Sequence, residues 1–364
     1  MLSFFFLTGC SGDHSESPPL EITPSVEISP TMLQVSALGG EQTIIVKANM
    51  PWSVSTDGQT WYSLSVNSGY TGETAIKISF NKNIMEATRK GILSFTCGTD
   101  YRLEYTLTQE KATVENYVPV GYTLVWQDEF NDERLSDGKT ALPNTKDWWY
   151  ETGASGWGNN ELQNYIAGFF ETDTCAVIKD GILNIIAQKR NSEVLSIRMN
   201  TIQSWTYGYF EARLKLPGGR GTWPAFWMMP KNYTAWPDDG EIDIMEEVGY
   251  HADYVSSSIH CKAYNHILGT QKTAEKWIST AESDFHIYAL EWTADYIKTY
   301  VDGALLFTFD NDKSGNKDTW PFSAPFYLKL NLAWGGNWGG AQGVDETKLP
   351  AVYGIDYIRV YQKK

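Results

Sequence analysis

The chain of 364 residues is long enough for two domains, and its composition of 42% hydrophobic and 20% charged residues excludes a largely disordered protein. Its formal net charge of −15 argues against nucleic acid as a ligand, because phosphate groups require a cationic surface. The aromatic content of 14% exceeds what cores of this size require. It indicates either cores built from large side chains or a groove lined with flat apolar faces for sugar rings, and composition alone leaves both open.

Residues 1–24 have the pattern of an export signal and a polar tether. A short apolar run ends in Leu7-Thr8-Gly9-Cys10, which resembles the bacterial lipobox, where the cysteine is lipidated. The run is too short to span a bilayer, and the acidic stretch after Cys10 resembles the export signal of surface lipoproteins. The resemblance implies a surface-exposed outer-membrane lipoprotein of the cell envelope, which contacts the membrane through its lipid anchor only. The alternative is an N-terminal strand of a cytoplasmic protein.

Residues 25–112 are expected to form a small immunoglobulin-like β-sandwich. Runs of alternating polarity, such as QTIIVKA at 42–48 and LEYTLT at 103–108, are separated by Gly, Pro and Asn, which is typical of sandwich strands. Pro51-Trp52, Trp61 and Arg89 before a strand resemble the BACON module found beside carbohydrate enzymes. A spacer is the favoured interpretation and sugar binding the alternative, and we expect Trp52 and Trp61 to lie in the core.

After a linker that begins at Lys111, residues 118–364 are expected to form one large all-β domain. The runs GYFEARLKL at 208–216, FYLKLNL at 326–332 and GIDYIRVY at 354–361 alternate as strands do. About 240 residues of strands in one unit predict a large sandwich or jelly roll. The sequence contains no P-loop or GxGxxG motif, so phosphate or dinucleotide chemistry has no support.

The run GEIDIMEEVG at 240–249 carries the most informative pattern. On a strand, residues two apart share a face, so Glu241 and Asp243 point one way and Ile242 points the other. Glu246, five residues from Glu241, would lie on the wrong face of a regular strand. A β-bulge around Met245 would return Glu246 to the face of the other two acids.

Three carboxylates on one face repel each other, and such an arrangement is usually retained for chemistry or for a metal. Glycoside hydrolysis needs one carboxylate that attacks the anomeric carbon and a second that is protonated and donates to the leaving oxygen. Burial and like charge raise the pKa of the second group, and the middle acid can hydrogen-bond the nucleophile. The alternatives are an acidic edge strand and a calcium site.

The same run resembles the signature of family 16 glycoside hydrolases in its bulged form, ExDxxE, as in laminarinases and related β-1,3-glucanases. Other segments follow the family pattern in chain order: GWGNNELQ at 156–163, GYFEAR at 208–213, GTWPAFW at 221–227, FHIYALEW at 285–292 and NLAWGGNW at 331–338. The resemblance covers nearly all of the second domain. It implies a concanavalin-like β-jelly-roll sandwich with a concave cleft and a retaining double displacement.

Position by position, the resemblance makes Glu241 the nucleophile, Asp243 the assisting acid and Glu246 the acid/base. It implies sugar contacts at seven further positions: Asn159, Arg198, Trp223, Trp227, His260, Trp334 and Trp338. For His260 and Trp223, a place in the core is the alternative. No cofactor is implied for catalysis, but Glu129 and Asp356 match positions where relatives hold a structural calcium ion.

The resemblance implies a monomeric endo-acting enzyme that cleaves a laminarin-like β-1,3-glucan with retention of configuration. The first alternative is a mixed-linkage β-1,3-1,4-glucanase. The second is an agar-type galactan hydrolase, although sulfated substrates would favour a basic cleft that the net charge does not indicate. Met245 argues against the unbulged motif of lichenases and xyloglucan enzymes. A different class is a non-catalytic glucan-binding protein, against which the presence of both Glu241 and Glu246 weighs.

Overall fold

The computed structural model describes residues 22–37, 39–81, 83, 87–111, 116–131, 143, 145–170, 173–179 and 181–363. Cys10 and the expected export signal lie outside these residues. The chain divides into two compact units, Met1–Val114 and Glu115–Lys364. A search of the described segments for a helix long and apolar enough to cross a membrane finds none.

The first unit is a β-sandwich of two mostly antiparallel sheets. Its strands are Val26–Ser29 (β1), Leu33–Val35 (β2), Gly40–Ala48 (β3), Trp52–Thr56 (β4), Tyr62–Leu64 (β5), Ser68–Gly69 (β6), Gly72–Phe80 (β7), Arg89–Cys97 (β8) and Tyr101–Gln109 (β9). One sheet has the order β1-β3-β7-β5 and the other β2-β9-β8-β4-β6. Alternate residues of the long strands are buried between the sheets, as the polarity pattern predicts. Trp52 and Trp61 are 3% and 7% exposed, so the prediction that both belong to the core is confirmed.

The second unit is built from the remaining strands. Their bounds are Tyr122–Asp128 (β10), Trp148–Glu151 (β11), Gln163–Tyr165 (β12), Phe169–Phe170 (β13), Asp173–Thr174 (β14), Ala176–Lys179 (β15), Ile182–Arg190 (β16), Glu193–Ser196 (β17), Arg198–Thr201 (β18), Gly208–Lys215 (β19), Thr222–Pro230 (β20), Glu241–Glu246 (β21), Tyr254–His260 (β22), Lys272–Trp277 (β23), His286–Trp292 (β24), Tyr296–Val301 (β25), Ala304–Asp310 (β26), Phe326–Trp334 (β27) and Ala351–Lys363 (β28). A single 3-10 turn covers Glu346–Lys348 within the described residues.

Two large sheets form the second unit and enclose one hydrophobic core. The first runs β12-β17-β16-β28-β19-β24-β25-β26, with β10 beside β28 and β15 beside β16, and the second runs β11-β18-β27-β20-β21-β22-β23. Leu214 and Leu290 from the first sheet and Phe226 and Leu328 from the second belong to the same buried cluster. The expected all-β jelly-roll sandwich is thereby confirmed.

The seven-stranded sheet has a core face and an outer face that alternate along each strand. On β20, Phe226 and Met228 are buried in the core, whereas Trp223 and Trp227, of the opposite parity, are partly exposed. Because neighbouring strands pair in register, the outer-facing residues of all seven strands meet on one surface. This surface carries the candidate site.

Candidate active site

The three acids of β21 lie on one face because the strand contains a bulge. On β22, His260, Ser258 and Ser256 are evenly spaced, and they pair with Glu241, Asp243 and Glu246. Three steps on β21 therefore match two on β22, and the register of β20 shifts at the same place. Cross-strand partners share a face. The predicted bulge near Met245 is confirmed, and it leaves two consecutive residues, Ile244 and Met245, buried in the core.

Each glutamate of the trio accepts a hydrogen bond from an indole. Trp236 Nε1 donates to Glu241 Oε2 over 2.7 Å, and Trp223 Nε1 donates to Glu246 Oε1 over 3.0 Å. Between them, the side chain of Asp243 shares a hydrogen bond with Glu241. These contacts fix the orientation of both glutamates before any substrate arrives.

Asp243 is buried between the two glutamates, with His260 beside it. Its side chain is 3% exposed, and its Oδ2 lies 3.3 Å from His260 Nε2 without the alignment of a hydrogen bond. The ligand atoms of Glu241, Asp243 and His260 lie within 4.8 Å of one another. The proximity of His260 favours the ionised forms of both glutamates.

The electrostatics of the trio keep protons on it at neutral pH. Burial, with the charge of Asp243, raises the pKa of Glu241 to about 8, and burial raises the pKa of Asp243 to about 7. Burial, again with the charge of Asp243, holds the pKa of Glu246 well above its ordinary value. Because the three groups titrate together, the cluster as a whole carries fewer than three negative charges near pH 7. A site of this kind can offer a carboxylate and a carboxylic acid side by side.

A cavity of about 480 Å³ opens above the trio on the outer face of the sheet. Four of the predicted sugar contacts line it with the three acids: Asn159, Arg198, Trp223 and Trp227. Other lining residues were not predicted as site residues: Glu151, Trp157, Tyr233, Trp236, His266, Tyr327, Lys329 and Asn331. For the last three, the alternation of β27 carries the signal, because they have the parity opposite to the buried Leu328 and Leu330.

Charged groups at one end of the cavity hold Trp227 in place. Its indole Nε1 donates to Asn331 Oδ1 over 2.7 Å, and the Arg198 guanidinium and the Lys329 ammonium each lie 4.9 Å from its ring centroid. Glu151 Oε2 accepts from Arg198 Nε and Lys329 Nζ, both over 2.6 Å. Burial and the charge of Arg198 lower the pKa of Lys329 to about 7.

Trp334 is not a sugar contact, and that prediction is wrong. Its side chain is 1% exposed and belongs to the hydrophobic core. Along β27 it shares parity with the buried Leu330 and Leu332, so its ring points away from the cleft.

The other predicted contacts border the cavity. His260 is 7% exposed and lies beside Asp243, whereas His266, 5.3 Å from it between ring centroids, lines the cavity. Trp338 is half-buried and meets Trp223 edge to face, with ring centroids 5.4 Å apart. His260 and Trp338 therefore lie next to residues that line the cleft.

The two residues expected at a calcium ion are each paired with an arginine. Glu129 accepts from Arg359 through both carboxylate oxygens, at 2.7 and 2.9 Å, and Asp356 accepts from Arg213 over 2.5 Å. A calcium ion needs six to eight oxygen ligands. Here each of the two carboxylates is already bound by a guanidinium group, whose positive charge repels a divalent cation. The described geometry therefore does not fit the expected ion.

Comparisons with known proteins agree with this architecture. The model of the glycosyl hydrolases family 16 matches residues 165–359, and that of the viral BACON domain matches residues 25–112. A beta-glucanase of Rhodothermus marinus is 45% identical over 254 residues, which cover 66% of this chain and 85% of the relative. The crystal structure of a Rhodothermus marinus laminarinase is 44% identical, with a TM-score of 0.61, over 66% of this chain and 97% of that one. SCLam, a non-specific endo-β-1,3(4)-glucanase, is 43% identical, with a TM-score of 0.63, over 68% and 93% of the two chains.

Proposed function

The chain belongs to family 16 of the glycosyl hydrolases and is an endo-β-glucanase, and from this premise we propose that it cleaves internal β-1,3 bonds of a laminarin-like glucan with retention of configuration. The recognition of this family and of a BACON module from the sequence is confirmed. The observation that carries the proposal is the bulged strand β21, which presents Glu241, Asp243 and Glu246 to one cavity.

In the first step, Glu241 attacks the anomeric carbon and Glu246 protonates the leaving oxygen. The indole of Trp236 and the proximity of His260 favour the carboxylate of Glu241, but burial and the charge of Asp243 outweigh them and hold its pKa at about 8 in the free enzyme. Lys329, whose pKa the charge of Glu241 raises, lies on the same side of the site. The shared hydrogen bond raises the pKa of Glu241 and lowers that of Asp243, so in the free enzyme the proton lies on Glu241. For the attack this proton moves to Asp243, which then donates to the carboxylate of Glu241.

Glu246 is suited to the acid role. Burial and the charges of Asp243 and Glu241 keep its pKa high, so that it holds a proton when the substrate binds. The bond between Glu241 and the sugar forms as the glycosidic bond breaks, and the proton of Glu246 leaves with the released glucan. Glu246, now ionised, takes a proton from water, and the resulting attack frees Glu241.

The first candidate substrate is β-1,3-glucan, and a mixed-linkage β-1,3-1,4-glucan is the second. The laminarinase of Rhodothermus marinus supports the first, and SCLam, as a non-specific endo-β-1,3(4)-glucanase, supports the second. Product analysis on laminarin, barley glucan and agarose tests the choice. We expect the fastest release of oligosaccharides from laminarin and none from agarose, and a preference for barley glucan would move the assignment to the mixed-linkage class.

The stereochemistry has its own test. Proton NMR of the first products from laminarin should show the β-anomer before mutarotation. An α-anomer as the first product would require inversion and therefore a water between acid and sugar, which contradicts direct attack by Glu241.

A lipid anchor at Cys10 on the cell surface remains part of the proposal. It is supported by the lipobox-like run Leu7-Thr8-Gly9-Cys10. A Cys10→Ala variant should leave the membrane fraction while it retains hydrolytic activity. A variant that stays membrane-bound would contradict lipidation at this cysteine.

A further inference from the structure

We propose that Tyr254 and Trp277 form a second glucan-binding surface, a platform for sugar rings on the leaving-group side of the cleft and outside the 480 Å³ cavity. The inference rests on the proposed function, because its occupant is the distal part of the same glucan chain that Glu241 and Glu246 cleave. Neither aromatic residue lines the cavity, and neither was singled out by the sequence pattern.

The register places both rings on the face that carries the catalytic acids. Glu246 pairs with Ser256 of β22, and Tyr254 lies two residues further along that strand, so it shares the face of Ser256. Trp277 of β23 is the direct partner of Tyr254, and cross-strand partners point to the same side. The core side is occupied instead by Val255 and Ile259, which are fully buried.

Both rings are unusually exposed for aromatic side chains. Trp277 is 59% exposed and Tyr254 is 37% exposed, although they stand side by side at the edge of the sheet. Adjacent exposed aromatic residues are more informative than scattered ones, since contiguous apolar surface usually marks a binding site. Each ring offers a flat face of the size that packs against a sugar.

The platform is held in a defined orientation. His251 stacks on Tyr254, with ring centroids 3.8 Å apart and planes 16° apart. His251 Nδ1 in turn lies 3.4 Å from Glu275 Oε1, and Glu275 pairs with Ser256 across the strands. A ring fixed before the ligand arrives loses less conformational entropy on binding.

The position of the two rings relative to Glu241 and Glu246 indicates on which side of the cleft the platform lies. From strand spacing and rise, the Cα atom of Tyr254 is roughly 8 Å from that of Glu246, and the Cα atom of Trp277 is roughly 12 Å away. Both lie past Glu246 rather than past Glu241, and Glu246 is the group that protonates the departing chain. Ser256, which lies between Glu246 and Tyr254 on this face, has a small side chain, and Glu275 stands beside it on β23. Along β22, only a serine therefore separates the acid from the first ring. A neutral polysaccharide that extends beyond the cavity fits this continuous surface.

The test compares a long and a short leaving group. Laminarin reaches the platform, whereas p-nitrophenyl β-laminaribioside presents only a small aryl group beyond Glu246. Trp277→Ala should raise KM for laminarin roughly tenfold, the change expected when one aromatic face loses its sugar. It should leave kcat on laminarin and kcat/KM on the aryl glycoside within about twofold. Trp277→Tyr, which keeps an aromatic face, should restore most of the affinity.

Leu305→Ala is the matched control, because Leu305 is 54% exposed on β26, the edge strand of the other sheet, and it should match the wild type on both substrates. Should Trp277→Ala lose its melting transition, Trp277→Gln and Tyr254→Ala take its place. Unchanged laminarin kinetics in folded variants would overturn the platform alone, and so would an equal loss on both substrates. A wild type that does not cleave laminarin would overturn the proposed function and the platform with it.

Discussion

The two β-sandwich units of this chain differ in what they bury. Among its described residues, the first unit buries two polar side chains, Asn83 and Gln109, and both donate hydrogen bonds to backbone carbonyls. The second unit buries acids and bases as well, including Glu161, Asp243 and Lys329. The described strands of the first unit show that a sandwich core can be assembled without buried charge, so the buried charges of the second unit need a separate explanation.

Within the second unit, the pairing of each charge separates structural groups from chemical ones. Asp356 accepts from Arg213 and Glu129 accepts from Arg359, so these buried or half-buried charges are compensated. Glu241, Asp243 and Glu246 have one another as neighbours, with indole donors in place of a salt bridge to lysine or arginine. Uncompensated acids cost free energy to bury, and the catalytic role explains why this chain places them there.

The largest expected effect concerns the nucleophile. Glu241→Ala should reduce kcat on laminarin by at least about a thousandfold, because no other group can form the glycosyl-enzyme bond. Added azide should restore turnover and yield an α-glycosyl azide, since a small anion can occupy the vacated space and attack from the same side. Glu193→Ala, which removes an exposed glutamate of β17, is the control and should keep wild-type activity. A β-azide would move the nucleophile's role away from Glu241.

The two indoles separate the roles of the two glutamates. Trp236→Phe removes the donor to Glu241 and Trp223→Phe removes the donor to Glu246, and each loss should raise the pKa of its own glutamate by roughly 0.5 to 1 unit. At low pH, kcat/KM is limited by the fraction of enzyme with an ionised nucleophile. Trp236→Phe should therefore move the acidic limb of the pH profile of kcat/KM to higher pH. Trp223→Phe should move the alkaline limb to higher pH, because the acid then keeps its proton longer.

Each variant serves as the control for the other, since both retain an aromatic ring in the cleft. The measurement is the pH dependence of kcat/KM on an aryl laminarioside. If Trp236→Phe shifted only the alkaline limb and Trp223→Phe only the acidic limb, the roles of Glu241 and Glu246 would be reversed.

Much of the fold and of the candidate site could be predicted from the sequence, but some contacts depend on the order of strands in the sheet. The period-two runs predicted both sandwiches, and the spacing of Glu241, Asp243 and Glu246 predicted the bulge, because parity is a local property. Parity also places Trp334 with Leu330 and Leu332, yet motif resemblance suggested the opposite face. Glu151 and Lys329 lie far apart in the chain and meet only through β18, which stands between β11 and β27. No local pattern predicts that contact.

Glu247 is a buried acid outside the cleft, and it tests whether burial of an acid without a catalytic role lowers the stability of the fold. It is fully buried, its Oε1 accepts from the backbone N–H of Asp253, and its Oε2 has no partner. Burial and the charge of Glu282 raise its pKa to about 9. Above the ordinary pKa of 4.5 the unfolded chain releases this proton while the folded chain keeps it, so the free energy of unfolding falls as pH rises towards 9.

Glu247→Gln should therefore stabilise the protein at pH 8, by about 1 to 3 kcal/mol, and have little effect near pH 4. The amide oxygen can still accept from Asp253, and no proton has to be retained. Melting temperatures of wild type and variant at the two pH values measure the difference, with the exposed Glu193→Gln as control. Equal shifts at both pH values would contradict titration of Glu247 as the cause.

The smallest expected effect concerns the first unit, for which we expect a spacer's role. A variant that lacks residues 1–114 should keep kcat and KM on soluble laminarin within about twofold, because the acids, the cavity and its supporting strands all belong to the second unit. Trp52 and Trp61 are buried, and among the described residues of the first unit the most exposed aromatic ring, Tyr70 at 82%, has no second exposed aromatic ring with which to form a platform. Binding to insoluble β-1,3-glucan should therefore also be unchanged by the deletion, and by Tyr70→Ala in the full chain. If the deletion weakened binding to the insoluble glucan while hydrolysis of the soluble one stayed constant, the first unit would be a sugar-binding module.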